Sequence, residues 1–124
     1  EYDNYDSLTV LNKVNQIKTG NPTVDTLVCI EGTGGQAIGN YDTKEAKKFR
    51  YILVFDNMEE TIKGLRNGII DGVEAQEPYQ MGLLAVRDIA INGVADSQTS
   101  RALYTSIQWL TARDADRQVQ ANEQ

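Results

Sequence analysis

Arg50-Tyr51-Ile52-Leu53-Val54-Phe55-Asp56-Asn57 is a β-branched and aromatic run stopped by two polar residues, and Met58-Glu59-Glu60-Thr61-Ile62-Lys63-Gly64-Leu65-Arg66-Asn67-Gly68 follows at once. The first part predicts a strand over 50–55. The second predicts a helix over 58–67, with Met58, Ile62 and Leu65 on its inner face. Glu59 and Glu60 stand in its first turn and Lys63 and Arg66 in its last, which is the placement the helix dipole prefers. Gly68 suits the position just past its end. A strand that hands directly to a helix is half of a parallel α/β unit.

The same alternation extends both ways. Upstream, Leu8, Leu11, Val14 and Ile17 fall at helical spacing over 7–18, with Asp6 or Ser7 as the cap and Gly20-Asn21-Pro22 as the stop. Residues 26–31 form a short apolar run of buried-strand type. Gly32-Thr33-Gly34-Gly35 reads as a loop, and a helix over about 35–48 follows. Downstream, 71–75 is a short strand. Pro78 suits the first turn of a helix whose stripe is Tyr79, Gly82, Leu83, Val86, Ile89 and Ala90, closed by Asn92-Gly93. Residues 103–110 read as a last strand, and the tail from Ala112 to Gln124 is polar and expected to fray. The order α-β-α-β-α-β-α-β predicts an α/β fold, a parallel sheet flanked by helices on both faces.

The bulk composition narrows the function. The chain has 124 residues, 40% of them hydrophobic, which fits one domain with one core. A net charge of −6 with scattered Lys and Arg argues against a nucleic-acid partner, because phosphate binding needs clustered cations. There is no histidine, which removes His-based triads, His general bases and most metal sites. The single cysteine, Cys29, lies in Leu27-Val28-Cys29-Ile30 and reads as a small core residue rather than a reactive thiol. No run reaches the roughly 18 apolar residues of a membrane span. The opening Glu1-Tyr2-Asp3-Asn4-Tyr5-Asp6 does not resemble a native start, so a processed or cut piece is expected.

In open α/β sheets, ligands bind beyond the carboxyl ends of the strands. Glu31 follows the first strand, Asp56 the second and Gln76 the third. A carboxylate accepts hydrogen bonds from two neighbouring hydroxyls, and an amide both donates and accepts, so the set suits a polyol or sugar better than a phosphate. Asp56 and Gln76 each also have a structural reading, Asp56 as the cap of helix 58–67 and Gln76 as a loop residue or cap, and Glu31 alone is a weak pointer to a ligand. The glycine loop at 32–35 is neither a P-loop nor G-x-G-x-x-G, and a plain strand-to-helix turn explains it better than an anion site. A phospho-accepting role for Asp56 would want further carboxylates for Mg²⁺ and a Lys on a later strand end, and neither is evident. Tyr79, Tyr104 and Trp109 could stack on a sugar ring, although Trp109 reads as structural.

Gln76-Glu77-Pro78-Tyr79-Gln80-Met81-Gly82 resembles the Gln-x-Pro-Tyr-Gln-Met-Gly signature of the ribose-type periplasmic (solute/sugar) binding proteins. Leu53-Val54-Phe55-Asp56 resembles that family's strand ending in Phe-Asp, and Ala37-Ile38-Gly39 and Leu110-Thr111 fit it as well. The resemblance implies an incomplete C-terminal lobe over 1–111 of a type I periplasmic-binding-protein fold, followed by the 112–124 tail. It implies an extracytoplasmic sugar-binding receptor of an ABC transporter or sensor system, periplasmic or extracellular and in some cases membrane-anchored. Asp56 and Gln76 match family positions that bond sugar hydroxyls. Glu31 falls near a third such position, where the loop here is about one residue longer.

The implied partners are a small sugar, a missing N-terminal lobe, and a membrane permease or sensor kinase. No cofactor, metal or catalytic residue is implied, and no enzyme activity. The alternative is the effector-binding domain of a LacI-type transcription regulator, which shares the fold but usually shows Pro-x-Leu-Thr-Thr where this chain has Gly68-Ile69-Ile70-Asp71. A lone partial lobe would expose a sheet edge and apolar faces, so a separate chain, a removed part or self-association of the fragment is expected to cover them.

Overall fold

The computed structural model describes residues 6–40, 49–93 and 102–117. The elements run in the order α1 (Ser7–Gly20), β1 (Thr26–Cys29), α2 (Gly32–Gly39), β2 (Tyr51–Phe55), α3 (Glu59–Arg66), β3 (Gly72–Ala75), α4 (Pro78–Asn92) and β4 (Gln108–Leu110). The chain divides into two compact units, one of residues 1–75 with 109–124 and one of residues 76–108.

The first unit holds the sheet, whose strand order is β1-β2-β3-β4. β1 pairs with β2 in parallel, Leu27 beside Ile52 and Cys29 beside Val54. β2 pairs with β3 in parallel, Val54 beside Val73 and Phe55 beside Glu74. The crossovers step in one direction, so right-handed connections put α2 and α3 on the same face. That face is the buried one: Leu27, Ile52, Val54, Val73 and Ala75 meet Ala37 and Ile38 of α2 and Ile62 and Leu65 of α3 in one core cluster. α1 packs on α2; Val10 is buried, and Leu11, Val14 and Ile17 are packed against the core. The α/β class, with a parallel sheet flanked by helices, is therefore the observed one.

Local chemistry explains the element ends. Asp6 caps α1 by accepting from the Thr9 N–H at 2.8 Å and from the Thr9 hydroxyl. Asp71 ties the starts of β2 and β3 together: its backbone N–H donates to the Ile52 carbonyl, and its carboxylate accepts from the Ile52 N–H at 2.9 Å. α2 begins three residues earlier than expected, and 41–48 of the expected helix lies outside the described residues. The last strand is confined to 108–110, and 102–107 carries no regular structure. Strand propensity is mainly the fit of a side chain to a neighbouring strand, so Leu103, Tyr104 and Ile107 do not make a strand by themselves.

The polar tail also departs from expectation over 112–117. Asp114 accepts from the Thr111 N–H at 3.0 Å and the Thr111 hydroxyl at 2.8 Å. Ala115 is completely buried, and Arg66 pairs with Asp116 at 3.1 Å. Residues 118–124 lie outside the described part.

Asp6 and Asp114 share one consequence. Hydrogen bonds from Thr9 hold the Asp6 carboxyl below its ordinary value of 3.8. The Thr111 backbone N–H and then its hydroxyl do the same for Asp114. A carboxyl whose folded value is depressed stabilises the fold fully above the ordinary value and loses that contribution as pH falls through the folded one. Denaturant midpoints are therefore expected to fall as pH drops below about 4, by less in the Asp6→Asn, Asp114→Asn double variant. An identical acid profile in both proteins would contradict this.

The second unit contains α4, described by itself. Pro78 opens the helix, where a missing N–H costs nothing. Gly93, at φ 73°, closes it as the sequence predicts. At its mouth the Gln108 amide donates to the Glu77 carboxylate at 3.1 Å.

Candidate functional site

Glu31 and Asp56 follow the carboxyl ends of neighbouring parallel strands, and both reach the first turn of α2. Glu31 is extended (φ −146°, ψ 162°) and is the N-cap of α2. Its Oε2 accepts from the Thr33 N–H at 2.8 Å, and its Oε1 accepts from the Gly34 N–H. The amides that could have held an anion are thus taken by the chain's own carboxylate. The glycine-rich stretch is the helix start, not a loop before it.

Asp56 approaches from the other side. A Cβ built on Gly32 would lie 3.1 Å from Asp56 Oδ2, so the carboxylate sits directly against the start of α2. Its backbone is left-handed, with φ 65°, the only positive value at a non-glycine residue among those described. The Asp56 N–H donates to the Glu74 carbonyl at 3.0 Å, which carries the β2–β3 ladder one residue past the strand and fixes the turn. Asp tolerates this backbone region better than most residues, at a cost on the order of 1 kcal/mol. The expected role of Asp56 as cap of the next helix meets a different arrangement: the N-cap position of α3 is Met58, which makes no side-chain cap bond.

Gln76 directly follows β3 and opens the second unit, where it is exposed. Of the three candidates, the first unit brings Glu31 and Asp56 to one place, and Gln76 is described within its own unit. Trp109 lies against Gly72, where any added Cβ would run into its indole ring. That contact fits the structural reading of Trp109, although the residue remains 55% exposed.

Two features escaped the sequence reading. Glu is an uncommon N-cap, so Glu31 gave no cap signal of the usual Ser, Thr, Asp or Asn kind. The second is the close crossing of α2 and α3. An added Cβ at Gly39 would overlap the Glu60 carbonyl, and one at Gly64 would sit 2.7 Å from Gly39 Cα. These two glycines let the helix backbones touch, and the Gln36 amide donates to the Glu60 carboxylate across the same crossing at 3.2 Å. Glycines 25 residues apart in sequence give no local pattern that would reveal this.

The cap is separable from any ligand. Glu31→Ala is expected to cost about 0.5–2 kcal/mol of stability, since it leaves two amides of the first turn without their acceptor. Urea unfolding measures this, and no change in midpoint would contradict the capping geometry.

Neither protein-family models nor the curated proteins give a match to this chain. Solved structures do. A glucose-galactose binding protein, GanP from Geobacillus stearothermophilus, matches with TM-score 0.76 at 22% identity, covering 92% of this chain and 41% of its own. An ABC transporter solute-binding protein from Agrobacterium vitis, bound with α-D-tagatopyranose, matches with TM-score 0.80 at 15% identity, covering 98% of this chain and 41% of its own. The XylFII–LytSN complex matches with TM-score 0.72 at 20% identity, covering 92% of this chain and 40% of the matched one. The chain therefore has the fold of one part of the sugar-binding proteins of ABC transporters and spans about two fifths of the length of these matched chains. None of these three matched structures is named as a transcription regulator.

Proposed function

We propose that this chain is the C-terminal part of a two-lobed, extracytoplasmic sugar receptor serving an ABC transporter or a membrane sensor. The observation that carries the reading is the placement of Asp56: a carboxylate on a strained, left-handed backbone at the carboxyl edge of a parallel sheet, in a fold shared with sugar-binding proteins. Strain of this kind persists where the surroundings enforce it, and it clusters at ligand sites. Asp56 accepts from the sugar's hydroxyls, and Gln76 supplies the amide that donates and accepts. Glu31 lies near Asp56 at the start of α2, and its carboxylate also holds that helix in position. Two acids at one edge favour a neutral, hydroxyl-rich ligand over an anionic one.

The second lobe completes the cleft, and closure of the lobes reports occupancy to the membrane partner. The match to the XylFII–LytSN complex, a complex of two named proteins, is compatible with a receptor that also has a protein partner. Among the described residues no helix is long and apolar enough to cross a membrane. An extracytoplasmic location follows from the receptor role.

Calorimetry on the receptor containing both lobes tests the proposal, with D-galactose, D-arabinose, D-fucose and D-tagatose as neutral sugars and D-galacturonate as the anionic control. Saturable binding of at least one neutral sugar, and none of the acid, is expected. Silence across all four neutral sugars would overturn the reading.

A further inference from the structure

We draw no further inference here: the strongest candidate, the apolar sheet face formed by Val28, Ile30, Tyr51 and Trp109 opposite the helix layer of the first unit, is exposed, and nothing in the structure shows what covers it.

Discussion

Replacing Asp56 by alanine in the two-lobed receptor is expected to lower sugar affinity by about 100-fold or more. A hydrogen bond to a charged group contributes roughly 1.5–3 kcal/mol, and a carboxylate facing two neighbouring hydroxyls accepts two of them. At about 1.4 kcal/mol per tenfold, loss of both exceeds two orders of magnitude. Alanine alone is an ambiguous test, because residue 56 has φ 65° and an alanine there is strained. Asp56→Gly separates the two effects. Glycine adopts the left-handed region freely, so folding stability is expected to stay within about 1 kcal/mol of the parent. Affinity is expected to fall as far as it does for alanine. A glycine variant that binds normally would mean that the acid shapes the turn and does not touch the sugar. Gln76→Ala, measured alongside, is expected to weaken binding by about tenfold, as loss of a neutral hydrogen-bonding pair does.

Gly39→Ala carries the largest expected effect on stability. The added Cβ would overlap the Glu60 carbonyl and come within 2.6 Å of its carbon. Those are backbone atoms of α3, which cannot rotate aside as a side chain would. The two helices must separate, and overpacking of this kind costs about 1–3 kcal/mol, with backbone collisions at the upper end. Separation would also pull Ala37 and Ile38 away from Ile62 and Leu65, all of them buried. Urea unfolding should show a lower midpoint with an unchanged slope, since the surface exposed on unfolding stays the same. Gly64→Ala, on the other side of the crossing, is expected to behave alike. A midpoint unchanged in both variants would contradict the close approach of α2 and α3.

The fold was largely legible because its signals are local. The run 51–55 followed by the amphipathic 59–66 is a strand and a helix by pattern alone, and the charges at the ends of α3 agree with that pattern. The pairing order was legible less directly, through the rule that alternating strands and helices build a parallel sheet. What escaped depends on contacts between distant residues. Leu103, Tyr104 and Ile107 have strand-forming side chains, yet 102–107 stays irregular. Ala115 lies in a polar stretch and is nonetheless fully buried. It neighbours the Thr111–Asp114 turn and the Arg66–Asp116 pair, neither of which hydrophobic periodicity can show.

The candidate site was legible in part for the same reason. Strand ends locate Glu31, Asp56 and Gln76 along the chain, and the general rule for α/β sheets marks those ends as ligand-facing. The different duties of the two acids were not readable. Glu31 differs from Asp56 because its extended backbone aims its carboxylate at the amides of α2, whereas the left-handed turn at Asp56 brings its carboxylate against Gly32. The neighbouring Asp56-Asn57 pair was the available hint, since these two residue types are enriched in left-handed turns.

A crystal structure of the complete receptor loaded with whichever neutral sugar binds tests the central claim most directly. An Asp56 carboxylate oxygen within about 3 Å of a sugar hydroxyl is the predicted result. A sugar seated elsewhere, with Asp56 bonded only to its own chain, would contradict it.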